Sequence, residues 1–532
     1  RVVDNPGDNV LAEFASAVDA VQCAVKIQIK LKNENERLVE VKRLEFRIGI
    51  NIGDIVQDED RIYGSGVNVA ARIEGIADPG GVCISRNAYD HVKDKLDLGF
   101  KYLGEHQAKN IKEPVRVYKV LLGTESPKSL EGEVLELPEK PSIAVLPFNN
   151  MSGDPSQEYF SDGLTEQIIN GLCKVPNLFV IARNSSFSYK GKSVNVQQVG
   201  KELGVRYILE GSVQKAGDRV RITAQLIDTT TGYHLWSENY DRDLSDIFAL
   251  QDEITLKLIN TIHVKLIEGD QARLWEGATT NLKAYDKFMR GNEYFNRLNH
   301  KDNEQARQFF REAINIDKTY AMAYALLGYT HSCDHAFGWS KSPIKSFEQA
   351  EKNVDKALAL NDTLDLAHGL LGWIYMIKKK HDEAIIEGER AIELNPNGAT
   401  AHALFGFILI SSDKTELAIK LLKRAIRLNP FPESYYYTFL AMAHRNNGEY
   451  EKAIELAEEG LIGNPDQLMP NLVLAASNIF LNHFEAANKA AKEILRIDPK
   501  FSLEYYANII PYKNQETKNK YVNALREAGL RD

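Results

Sequence analysis

The alternation of apolar and polar positions changes character twice along the chain. In residues 1–122 two periods are mixed. From Ala12 to Leu31 apolar residues fall at helical spacing (Phe14, Val18, Ala20, Val21, Val25, Ile27), which predicts an amphipathic helix. Phe46 to Val56 alternates with period two, as a half-buried strand does. Helical spacing resumes from Asn68 to Ile76, and Val82 to Ile84 and Val115 to Val120 predict closing strands. This is an α/β unit.

Residues 123–140 are polar and acidic, with Pro127 and Pro138, and predict a linker. A second α/β unit follows over 141–265. It opens with a buried strand from Pro141 to Phe148. A helix from Phe160 to Leu172 is predicted next, capped at Ser161 or Asp162, and then a strand from Leu178 to Ala182. Asn195 predicts the cap of a helix over 196–203 that stops at Gly204. Tyr207 to Val213 and Arg219 to Asp228, joined by a tight Ala216–Asp218 turn, predict a β-hairpin. Thr229 to Gly232 then turns the chain into Tyr233 to Ser237. Residues 266–283 are expected to be a connecting helix.

From about Tyr285 the pattern is helical and repeats. Asp317, Asn361, Asn395, Asn429, Asn464 and Asp498 each end an amphipathic stretch, at spacings of 44, 34, 34, 35 and 34 residues. The last four precede Pro396, Pro430, Pro465 and Pro499. A period of about 34 with a terminal proline is the tetratricopeptide signature, and residues 284–532 predict six repeats plus a terminal helix. Small residues stand in register where paired helices must approach: Gly372, Ala384 and Ala391, then Gly406, Ala418 and Ala425. The long first spacing places about ten extra residues near Phe337 to Pro343. Stacked helix pairs leave a groove suited to a protein or peptide partner. Tyr435, Tyr436, Tyr437 and His402 either line it or pack between helices.

Bulk properties narrow the function classes. A chain of 532 residues exceeds one ordinary domain, and three or four are expected. A net charge of -9 argues against nucleic acid as a partner. Cys23, Cys83, Cys173 and Cys333 stand singly, which predicts reduced thiols and neither disulfides nor zinc. No apolar run reaches the ~18–20 residues of a membrane span. The expected compartment is the cytoplasm.

The chemistry is concentrated near the start. Arg61-Ile-Tyr-Gly-Ser-Gly-Val-Asn-Val-Ala-Ala-Arg72, with Pro6-Gly7-Asp8-Asn9 upstream, resembles the class III adenylate/guanylate cyclase domain over residues 1–120. The resemblance implies a ferredoxin-like α/β fold, an obligatory homodimer with active sites built across the interface, ATP or GTP as substrate, and Mg²⁺ or Mn²⁺ as cofactor. Two carboxylates would hold two metals that activate the ribose 3′-hydroxyl and neutralise the triphosphate. Asp8 matches the second metal carboxylate, Asn68 the ribose-orienting residue, Arg72 the residue that stabilises charge on phosphorus, and Lys109 the lysine gripping the terminal phosphates. The first metal Asp of the family falls upstream of Arg1, so the chain as given is expected to be inactive without it. Adenine-selecting members carry Lys and Asp where this chain has Asp4 and Arg61. The exchange either keeps a pair with altered base preference or removes base recognition. Gly64-x-Gly66 is too short for a dinucleotide loop, and Pro79-Gly80-Gly81 predicts a tight turn.

Pro141 to Pro155, Glu158 to Gly163, Glu210 to Val213 and Leu235 to Glu238 resemble the α/β domain related to the amino-terminal domain of TolB, with no catalytic constellation. There Asp154, Glu158 and Asp162 predict a solvated loop and helix cap, and Trp236 a core residue. The combined expectation is a bacterial-type cyclic-nucleotide signalling protein with a repeat scaffold. Its alternative is a non-enzymatic scaffold built on a cyclase-homology domain.

Overall fold

The computed structural model describes residues 1–4, 10–35, 44–53, 55–58, 61–93, 95–96, 98, 100–106, 115–120, 135–192, 194–262, 264, 279–336, 338–462 and 464–532. Two compact units emerge: residues 1–131 with 458–467, and residues 132–457 with 468–532.

In the first unit β1 (Val2–Asp4) pairs antiparallel with β2 (Leu11–Ala12). The expected helix from Ala12 therefore starts later, as α1 (Ala17–Asn35), where Ser16 Oγ accepts from Val18 N at 3.1 Å. The expected strand from Phe46 to Val56 divides into β3 (Ile48–Ile50) and β4 (Val56–Asp58), the latter in a hairpin with β5 (Arg61–Tyr63). Next come α2 (Ser65–Ile76), β6 (Val82–Ser85), α3 (Arg86–Val92), β7 (Phe100–His106) and β8 (Val115–Val120). The main sheet runs β3-β6-β8-β7, with β3 parallel to β6 and the other pairs antiparallel. Side chains of β6 alternate between two cores. Val82 and Ile84 join α1, α3 and Tyr118, while Cys83 meets Ile73 and Ala77 of α2 and its neighbourhood. Gly80, at φ +76°, makes the predicted turn before β6.

The second unit begins with β9 (Ser142–Val145), β10 (Asn149–Asn150), α4 (Glu158–Cys173), β11 (Phe179–Val180), α5 (Arg183–Phe187) and α6 (Val196–Leu203). It continues through β12 (Tyr207–Ala216), β13 (Arg219–Asp228), β14 (His234–Asp243) and α7 (Ile247–Thr261). Its sheet runs β11-β9-β12-β13-β14, with β10 also alongside β12. Asn195 caps α6 as expected, its Oδ1 accepting from Gln197 N at 2.9 Å, and Gly204 closes the helix at φ 60°. The hairpin also forms, in register from Tyr207 opposite Asp228 to Ala216 opposite Arg219. The cap assigned to Ser161 or Asp162 is corrected. Both lie inside α4, and Asp154 caps the preceding turn, Pro155–Gln157, by accepting from Ser156 N at 2.9 Å. Asp162 is buried rather than solvated and pairs with Lys190, while Glu158 pairs with the same lysine and stays part exposed.

The repeat region consists of helix pairs Leu282–Phe295 with His300–Ile316, Ala321–Ala336 with Pro343–Leu360, Asp365–Ile377 with His381–Leu394, Ala399–Ser411 with Thr415–Leu428, Ser434–Asn446 with Tyr450–Leu461, and Leu468–Phe480 with Phe484–Ile497. The single terminal helix expected is a seventh pair, Leu503–Ile509 with Gln515–Glu527. The ten extra residues of the long repeat are spread out: its first helix has 16 residues against 13 in the next, and its second 18 against 14. Most of the expected linker and of the expected helix over 266–283 lies outside the described residues.

Candidate nucleotide-cyclase site

Two candidate residues sit on α2, and backbone geometry determines how that helix is seated. Its register starts at Gly64, with φ 136°, and no side chain caps it. Gly66 and Ile73 face the sheet, while Asn68 and Arg72, one helical turn apart, are exposed. The sheet receives the helix through missing side chains. A Cβ on Gly49 of β3 would lie 2.2 Å from Glu74 N and 2.3 Å from Ala70 O, and one on Gly53 would lie 2.9 Å from Gly66 Cα. Asn51 Nδ2 donates to Gly66 O at 3.1 Å, locking the chain after β3 to the helix start.

On the other face of the sheet, Gln28 of α1 is buried. Its Nε2 donates to Phe46 O and Gly81 O, both at 2.9 Å, joining the approaches to β3 and β6. Tyr118 stacks on Tyr89 with ring centroids 4.1 Å apart and accepts from Arg86 Nη1 at 2.9 Å. Burial and the nearby Asp78 carboxylate push the Cys83 thiol up to about 11, so it stays protonated and packs as an apolar group. Gln28 and the glycine seats were not among the sequence candidates. The signal available for the latter was Gly49 and Gly53 inside an alternating apolar run, since glycine in a strand marks close backbone approach.

The remaining candidates divide. Asp4 ends β1 and Arg61 opens β5, and these two strands are neighbours. Asp8 and Lys109 lie outside the described residues. Among the described residues no cluster of three or more His, Cys, Asp or Glu side chains is set to hold a metal. The described side chains therefore do not by themselves form the two-metal centre. What Asn68 and Arg72 offer is a neutral hydrogen-bonding amide and a fixed cation on one exposed helix side, a combination suited to a polar, anionic ligand.

Residues 7–121 match the model of the Adenylate and Guanylate cyclase catalytic domain. Residues 367–397 and 409–467 match tetratricopeptide repeat models. The chain joins an adenylate/guanylate cyclase domain to tetratricopeptide repeats. It is 43% identical over 392 residues to "Putative adenylate cyclase 3" of Rhizobium meliloti (strain 1021), covering 72% of this chain and 66% of that protein. The chain thus spans just under two thirds of that relative's length. A shorter stretch is 24% identical to the serine/threonine-protein kinase pkn2 of Myxococcus xanthus, over 24% of this chain and 15% of that one. Among solved structures, the adenylate/guanylate cyclase/hydrolase from Silicibacter pomeroyi is 40% identical over 23% of this chain and 71% of its own, with a TM-score of 0.22. For residues 139–257, expected to be TolB-like, the matching model is the second domain of HilA/YgeH-like transcriptional regulators. Among the described residues no helix is long and apolar enough to cross a membrane.

Proposed function

We propose that the cyclase domain converts ATP or GTP to the cyclic nucleotide and pyrophosphate in a cytoplasmic bacterial signalling protein, as one half of a homodimer. In that reaction the ribose 3′-oxygen attacks the α-phosphorus, the 3′ proton is lost, and the bond to the β-phosphate bridge breaks. Asn68 would orient the ribose and Arg72 would stabilise the charge on the phosphoryl oxygens. Lys109 would hold the terminal phosphates and Asp8 would supply one carboxylate to Mg²⁺ or Mn²⁺, which activates the 3′-hydroxyl when bound. The observation that carries this reading is the seat of α2, which leaves Asn68 and Arg72 exposed together. The α/β segment, read as a TolB-like relay, and the repeats would then couple a protein partner to the cyclase.

A second reading keeps the domain as a scaffold without turnover. The exchanged charges favour it: Asp4 and Arg61, on neighbouring strands, stand where adenine-selecting members have the opposite signs. The experiment is cyclic-nucleotide production by the protein with its native upstream residues, ATP and GTP tested separately with Mn²⁺. Turnover that falls at least about 100-fold in Asn68→Ala and Arg72→Ala supports the enzyme, in line with the loss of one transition-state donor. Mixing Asp8→Ala and Arg72→Ala chains should restore part of it if sites span two chains. No product from either nucleotide leaves the scaffold reading.

A further inference from the structure

Inside the second unit, α4 and the start of α5 cover the first helices of five successive repeat pairs, and a cavity of about 320 Å³ remains beneath them. That is within the range of small-molecule sites. Along these pairs the groove expected to hold a partner peptide is also lined by the chain's own α/β segment. His402 belongs to the helix packing, its Nδ1 2.9 Å from Gly398 O, whereas Tyr435 and Tyr436 line the cavity.

The lining carries three carboxylates, Glu166, Asp365 and Glu433, and two cations, Lys174 and Arg183. Aromatic faces come from Tyr285, Tyr320, Tyr329 and Tyr435. Among them stand two carboxylates, Asp365 and Glu433, with no ion-pair partner among the described residues. Glu433 is held by amides, Asn184 Nδ2 on one oxygen and Asn429 Nδ2 at 3.3 Å on the other. Burial raises its pKa, with the nearby Arg183 opposing. Arg183 is itself committed to Glu166 at 2.9 Å and lies 3.9 Å over the Phe187 ring.

Asn395 Nδ2 donates to Asp365 Oδ2 at 2.8 Å, and the carboxylate can only accept, so the amide orientation is determined. Its Oδ1, in the same lining, is buried with no hydrogen-bond partner among the described residues. A buried acceptor without a donor costs stability. Lys174 is the other cation of the lining.

We propose that this cavity binds a small organic cation, an aromatic or aliphatic amine. Its ammonium meets Glu433 while its body lies against the rings of Tyr329 and Tyr435. Amine, carboxylate and aromatic faces are complementary through charge, N–H donation and the ring quadrupole together. Such a ligand would bridge the α/β segment and the repeats, because both contribute lining residues.

The test is calorimetric titration of the whole protein with tyramine, tyrosol and 4-hydroxyphenylacetate, three probes sharing one body and differing in charge. Tyramine should bind at least about tenfold more tightly than tyrosol, with no binding of the acid. Glu433→Gln, which keeps the shape and one of the two asparagine hydrogen bonds, should erase that preference. Circular dichroism would confirm that the variant folds. Equal affinity for tyramine and tyrosol, tightest binding of the acid, or no heat from tyramine would each overturn the proposal, and none of these depends on cyclase turnover.

Discussion

The absence of one methyl group at Gly49 lets α2 lie on its sheet. An alanine there would drive Cβ into the backbone of the helix at Ala70 and Glu74, and backbone cannot yield as a flexible side chain can. Gly49→Ala should therefore cost about 1–3 kcal/mol and shift Asn68 and Arg72 together. Gly75, on the exposed side of the same helix, meets nothing within 4 Å of an added Cβ. Gly75→Ala should instead stabilise by about 0.5–1 kcal/mol. Urea unfolding of the two variants checks both signs. Equal effects would mean that the close approach does not seat the helix. Asn68 and Arg72 could be proposed from the sequence because they share one short local motif. The seat beneath them could not, because contact between β3 and α2 is a tertiary fact that no local period encodes.

At the level of elements, success in reading the chain followed locality. The β12–β13 hairpin and α6 were legible because turn, cap and stop residues are adjacent in sequence. β7 was missed because its register with β8 shifts between Tyr102 and Gly104, which breaks the two-residue period. α3 was missed because seven residues give too few turns to show periodicity. The start of α4 was misplaced because the chain first makes a 3₁₀ turn on Asp154, and a cap there looks the same in sequence as one seven or eight residues later. Helix α7 carries a consequence of its own. Asp252 is partly buried with no partner among the described residues to offset desolvation, and its carboxyl is pushed up to about 6. A raised folded pKa contributes stability that is complete below the unfolded value of about 3.9 and is lost as pH rises through about 6. Allowing for solvent screening, the ionised group should cost on the order of 1–2 kcal/mol at pH 8. Asp252→Asn should thus be nearly neutral at about pH 3, below both values, and stabilising at pH 8, read by urea midpoints at both. A constant offset would show that the carboxylate is not strained by burial.

At the scale of the second unit, the sequence suggested an α/β domain and a repeat array as separate bodies, but their cores are shared. One apolar cluster contains Ala144, Phe179 and Ile208 of the α/β segment beside Trp373, Phe405 and Ile408 of the repeats. Phe179 is 1% exposed, and the guanidinium groups of Arg424 and Arg427 lie 5.0 and 4.5 Å from its ring centre. Arg427 also donates to Gly204 O at 2.8 Å, Ala182 N donates to Leu428 O at 2.8 Å, and Ser185 Oγ donates to Asn429 Oδ1 at 2.6 Å. Apolar packing, cation–π contact and paired backbone groups at one seam should make the segments unfold together, since exposing the seam costs both. Phe179→Ala should remove about 3–5 kcal/mol from that shared stability. In chains retaining only Trp236, on β14, or only Trp373, in the repeats, fluorescence should report the same urea midpoint, and the substitution should lower both equally. If only the Trp236 transition moves, the α/β segment docks on an independently stable array, and ligands in the cavity beneath α4 could not act on the two as one body.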